Sequence, residues 1–126
     1  MQIPVSKFRV SEPAKDQLIQ LKRWTGIKQW NILCRWALCS SLAERAPPTP
    51  TPLPPMSNVE MSWSVFAGPL GDVLWALLRQ RCFEDTGEVS EEAVVESFKL
   101  HLHRGVAQLH GERLRSIEDL HSLAVR

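Results

Sequence analysis

Four histidines, three cysteines and a dense set of basic side chains near the N-terminus are the groups here whose chemistry could be put to use. His101 and His103 are two residues apart, with His110 and His121 further on. On a helix, side chains two apart diverge, so His101 and His103 cannot face one metal ion. His103 and His110, seven apart, share a face but lie too far along the axis for an unaided pair. No HExxH, P-loop or GxGxxG occurs. The expectation is histidines that line an interface or a turn, with no metal and no other cofactor. Glu84-Asp85, Glu91-Glu92 and Glu118-Asp119 are adjacent pairs. They suit helix dipoles and solvated surfaces better than general acid–base catalysis. Cys34, Cys39 and Cys82 are odd in number and contain no CxxC. That argues against a secreted disulfide framework and for a reducing cytoplasm, with the thiols acting as small buried hydrophobes. On this reading the chain is not an enzyme.

The basic residues carry more. Residues 1–45 hold eight basic and three acidic side chains, net +5; the remainder holds seven and eleven, net −4. A near-neutral chain thus has a basic front half and an acidic back half, which points to a polyanionic partner. Lys7, Arg9, Lys15, Lys22, Arg23, Lys28 and Arg35 are the candidate DNA-binding residues. Ammonium groups on flexible stems neutralise phosphates and release condensed counterions without reading bases. Arg35 lies on a largely apolar helix and has pairing with a carboxylate as its alternative. The competing reading is an adaptor without direct DNA contact, in which the acidic stretch from Glu84 to Glu96 holds a basic partner protein. No apolar run reaches the roughly 18 residues of a membrane span, and MQIPVSKFRV lacks the layout of a signal peptide.

The elements that position these residues follow from periodicity. Residues 5–10 alternate, placing Lys7 and Arg9 opposite Phe8 and Val10 in a short strand. Ser11-Glu12-Pro13 announces a helix with a capping hydroxyl, a carboxylate at its positive end and a proline in its first turn. Ala14, Leu18, Leu21 and Thr25 form its buried stripe, and Gly26 ends it. A second helix, about Lys28 to Leu42, is apolar over most of its circumference and needs cover on several sides. Part of that cover is expected from another subunit, wrapping by its own chain being the alternative. Six prolines between Ala46 and Asn58 make an extended connector. Met61–Ala67 alternates and could pair with the first strand or equally be irregular. Gly68-Pro69 opens a helix through Leu70, Val73, Leu74, Leu77, Leu78 and Arg81. Ser90 caps another that turns Val94, Val95, Phe98, Leu102, Val106 and Leu109 inward, with Gly105 its weak point. Glu112 to Val125 reads as a last helix. The expected fold is mainly α: about five helices, one or two short β-strands near the N-terminus, and an oligomeric assembly.

One stretch resembles a known family. LKRWTGIKQWNILCRWALCSSL is similar to the hallmark of DndE, a DNA sulfur modification protein of bacterial phosphorothioation systems. Leu21, Lys22, Thr25, Gly26, Ile27, Asn31, Leu33, Cys34, Arg35, Ser41 and Leu42 match its pattern in order. FKLHLHRGV, from Phe98 to Val106, resembles a later signature after the Gly87-Glu88-Val89 turn. The resemblance implies a single DndE-like domain over residues 1–126. It further implies a small, helical, non-catalytic homotetramer that prefers nicked double-stranded DNA through surface lysines. Its implied partners are a cysteine desulfurase, an iron–sulfur protein and an ATPase, which together replace a non-bridging phosphate oxygen by sulfur.

Overall fold

The computed structural model describes residue 3 and residues 5–112. Strand β1 (Lys7–Ser11) leads directly into helix α1 (Glu12–Thr25). The Ser11 hydroxyl accepts from the Ala14 amide at 3.2 Å, and Gly26 closes the helix at φ 77°. The buried face of α1 is Ala14, Leu18, Leu21 and Thr25, as its spacing predicts. Helix α2 (Trp30–Ala43) follows, then the proline connector, strand β2 (Met56–Ser62), the one-turn helix α3 (Trp63–Ala67) and a 3-10 turn (Gly68–Leu70). Helices α4 (Gly71–Thr86) and α5 (Glu91–Gly111) complete the described chain. The described residues therefore hold four long helices, one short one and a two-stranded sheet. The expected helix from Glu112 to Val125 lies, beyond its first residue, outside the described residues.

The second strand begins earlier than its alternation suggests. β2 pairs antiparallel with β1, Lys7 opposite Ser62 and Arg9 opposite Glu60, with an irregularity between Arg9 and Ser11. Ser57 fills that irregularity, donating to the Val10 carbonyl at 2.8 Å and accepting from the Val59 amide at 3.1 Å. Met56, Ser57 and Asn58, counted with the connector by their neighbouring prolines, belong to this strand. From Trp63 onward the expected strand is a helix instead. Ser62 caps it by accepting from the Val65 amide at 3.1 Å, and Trp63, Phe66 and Ala67 turn inward at helical spacing. Val65, which a strand would have buried with Trp63, is exposed.

Aromatic rings tie these elements together. Phe8, Phe66 and Phe98 meet edge to face with centroids 5.0–5.5 Å apart, and Trp63 packs on Phe66, Phe98 and Trp75. Such contacts join β1, α3, α4 and α5 in one core. Helix α2 buries Leu33, Cys34, Ala37, Leu38 and Ser41 within its own chain, chiefly against α5 with help from α3 and α1, while Trp30, Ile32 and Trp36 stay half-buried and Cys39 exposed. Its closest approach is to Gly105, where a Cβ would fall 1.7 Å from the Ala37 carbonyl oxygen. Gly105 is therefore the packing notch of α5 rather than its weak point. Helix α4 also departs from expectation. It buries Trp75, Leu78, Arg81 and Cys82, while Leu70 before it and Val73 and Leu77 on it stand more than half exposed.

Candidate nucleic-acid interface

The basic residues fall into two groups. The first surrounds the ribbon. Lys7 and Arg9 occupy the open face of β1, since alternation sends Phe8 and Val10 into the core. Arg9 forms a cross-strand ion pair with Glu60, Nε to Oε2 2.9 Å, with both side chains well exposed. Lys15 donates from Nζ to the Asn58 side-chain oxygen at 2.8 Å, tying α1 to β2. The second group surrounds the α1–α2 turn. Lys22 Nζ lies 4.0 Å above the Trp30 ring, a cation–π contact, while Arg23 and Lys28 are exposed. Helix α1 joins the groups and sets Lys15 and Lys22 roughly 10 Å apart along its axis. Arg35 stands apart. It is half-buried on α2, with Nη1 3.7 Å from where Gly68 would carry a Cβ, and it has no ion pair among the described residues. The carboxylate partner considered for Arg35 is thus not found among them. Arg9 is the member whose charge is already offset.

The histidines are brought into service elsewhere. His101 is fully buried; its Nε2 meets Asp85 Oδ2 at 2.9 Å and its Nδ1 meets the Ser41 hydroxyl at 2.8 Å. The Asp85 carboxylate can only accept, so the neutral ring carries its proton on Nε2, and Ser41, which accepts from Arg104 Nε at 2.8 Å, donates to the bare Nδ1. Arg81 Nε holds the other Asp85 oxygen at 2.8 Å. Burial, with the Arg81 and Arg104 charges, holds the His101 pKa below its ordinary range against the opposing pull of Asp85. Burial alone would raise Asp85, but the hydrogen bonds and charges of Arg81 and His101 outweigh it and hold the carboxyl low.

A serine, a histidine and an aspartate in hydrogen-bonded sequence suggest a nucleophile, yet this set braces the fold. Ser41 is completely buried and its oxygen is occupied on both sides. The two guanidinium groups instead cover the carbonyls that end α2, which has neither a glycine cap nor a basic residue in its last turn. Arg81 donates to the Leu42, Glu44, Arg45 and Ala46 carbonyls, and Arg104 to those of Ser41 and Ala46. The i, i+4 spacing of Arg81 and Asp85 and the i, i+3 spacing of His101 and Arg104 were available signals, but only tertiary packing joins them.

His103 accepts from the Ser11 amide at 3.0 Å and donates to the Lys99 carbonyl at 2.8 Å, which places its proton on Nδ1. His110 stacks on Trp24 and bonds to Gln20. Among the described residues no three histidines, cysteines or carboxylates gather as a metal site. No helix among them is long and apolar enough to cross a membrane. Cys34 and Cys82 are buried as small hydrophobes, whereas Cys39 is exposed, against expectation, because it lies on the side of α2 away from the core. Burial pushes the Cys34 thiol up to about 12, and partial desolvation raises Cys39 despite the nearby Arg35. Both thiols are therefore protonated at neutral pH, the less nucleophilic form.

The family model described as DNA sulphur modification protein DndE matches residues 7–116. The chain belongs to the DndE family. A crystal structure of DndE from Escherichia coli B7A, involved in DNA phosphorothioation modification, shares the fold. It superposes with a TM-score of 0.70 at 21% identity, over 86% of this chain and 99% of that one. A crystal structure of a glycine-to-lysine DndE mutant involved in DNA phosphorothioation gives a TM-score of 0.64 at 20% identity. It covers 84% of this chain and 97% of its own. No curated protein matches the sequence. The family match runs from the first residue of β1, so it takes in the ribbon, the α1–α2 turn and the buried brace alike. DndE membership places the chain in DNA phosphorothioation.

Proposed function

We propose that this DndE chain is a non-catalytic, DNA-binding component of a cytoplasmic phosphorothioation complex. It grips the backbone of double-stranded DNA, preferring a nicked duplex, through its basic front half. The observation that carries this reading is a run of cations without ion pairs among the described residues. Lys7, Lys15, Lys22, Arg23 and Lys28 lie along consecutive elements, β1, α1 and the turn after it. Arg9 adds to them when a phosphate competes with Glu60, an exchange made easy by the small worth of an exposed pair. Arg35, half-buried, has the least reach. Phosphate contacts of this kind position a protein without selecting sequence.

The chemistry of sulfur insertion then lies with partners: a cysteine desulfurase, an iron–sulfur protein and an ATPase. The protonated thiols and the closed Ser41–His101–Asp85 set are consistent with that division of labour. Assembly as a homotetramer would repeat the basic strip on several subunits, and the outward Leu70, Val73 and Leu77 offer an apolar face for association. The test is fluorescence anisotropy with intact and nicked duplexes of one sequence at low salt. Binding to both, tighter for the nicked duplex, is expected. Absence of binding to either duplex would leave the adaptor reading in its place.

A further inference from the structure

A second surface lies on the acidic side of the molecule, between the proline connector and the junction of α4 with α5. It is an apolar groove of about 350 Å³, walled on one side by Pro47, Pro48 and Pro50 and on the other by Ala93 and Leu100. Its size is at the small end of ligand pockets, about 300–1,000 Å³, enough for one or two side chains rather than a helix. Arg81 and Arg104 fix the carbonyls from Ser41 to Ala46, so the chain leading into the proline wall is anchored. Glu88 and Glu96 line the groove, exposed and without an ion pair among the described residues. Asp85 also lines it, but Arg81 and His101 already hold its oxygens.

We infer that this groove docks a lysine or arginine side chain carried on an extended segment of a partner protein. The match is chemical. Pro47, Pro48 and Pro50 have no N–H, so these lining residues set no backbone donor against a cationic head. An aliphatic stem fits the apolar floor while its cationic head meets Glu88 and Glu96. The exposed Lys7, Arg23 and Lys28 make a second copy the competing occupant, and the concentration series below separates the two. The inference does not depend on DNA binding.

The test is a nuclear magnetic resonance titration of the full ¹⁵N-labelled chain with an acetylated Gly-Leu-Arg-Leu-Gly amide. A twin peptide with glutamate in place of arginine serves as control. Saturable amide shifts centred on Glu88, Ala93, Ser97 and Leu100 are expected with the arginine peptide alone. Glu88→Gln with Glu96→Gln should weaken that response by about three- to tenfold, the scale of two exposed charge pairs. Both positions are exposed, and the same spectra report whether the fold is kept. Three results would overturn the inference: no saturable shift, an equal response to the acidic twin, or a response unchanged in the double variant. Concentration-dependent shifts of these amides without peptide would also overturn it, because they would assign the groove to a second copy.

Discussion

Asp85 is the residue on which the buried brace depends, since it is the one anion between two cations or potential cations. Asp85→Ala would leave Arg81 and His101 buried without their partner and should cost about 3–5 kcal/mol, read from urea denaturation. A loss within error of zero would show that Arg81 is held by the α2 carbonyls alone. The histidines set a pH dependence whose sign is fixed by their direction of shift. Burial holds both His101 and His103 below the ordinary 6.5, so the folded state binds fewer protons than the unfolded one there. Their contribution is complete above 6.5 and is lost as pH falls below it. The Asp85 contribution is lost only further down, below the ordinary carboxyl value of 3.8. The urea midpoint should therefore hold between pH 8 and 7 and decline from pH 6.5 downward. The decline should be shallower in His103→Gln, whose amide can still accept from the Ser11 N–H. An equal decline in that variant would remove His103 from the account. Sequence spacing alone separated His101 from His103, and the two rings do meet different partners, Asp85 with Ser41 and Ser11 with Lys99. Spacing could not see that His101 sits between Ser41 and Asp85, 60 and 16 residues away, because that is a matter of tertiary packing.

At the scale of elements, local chemistry proved most legible where a cap and a stripe agreed. Ser11, the Ala14–Leu18–Leu21–Thr25 face and Gly26 delimit α1 as read, and Ser90 with Val94, Phe98, Leu102, Val106 and Leu109 does the same for α5. Trp63–Ala67 misled because five residues fit both a period of two and a single helical turn; the Ser62 cap and burial of Phe66 decided the helix. Helix α4 misled in another way, since its leucines and valines populate more than one face and only packing selects which is covered. Gly105 illustrates the same limit. Read locally it weakens α5, yet across the interface it is what allows α5 to reach the α2 backbone. Gly105→Ala should therefore destabilise by about 3 kcal/mol or more, beyond ordinary overpacking, because the obstacle is backbone and cannot rotate away. Gly111→Ala, with nothing within 4 Å of its added Cβ, is the control and should be near neutral. Equal thermal midpoints for the two variants would contradict the close α2–α5 crossing.

For the molecule as a whole, the division into a basic front and an acidic back was plain from composition, but its geometry was not. The front-half cations are shared between a ribbon and a turn joined by α1, and Arg35 is drawn aside to Gly68. Beside the half-buried Trp30, Ile32 and Trp36 of α2, the outward side of α4 is a second candidate face for self-association. Val73→Glu with Leu77→Lys should lower the mass seen by light scattering while leaving helicity unchanged; an unaltered oligomer would place the contact elsewhere. The central claim is that the basic strip binds DNA backbone, and the salt dependence of binding to nicked duplex tests it most directly. Lys15→Glu with Lys22→Glu lies off the buried stripe of α1 and should preserve the circular dichroism spectrum. It should weaken binding alike across sequences and lower the slope of log affinity against log salt by about two, roughly one for each lost phosphate contact. Undiminished affinity with an unchanged slope would contradict the account.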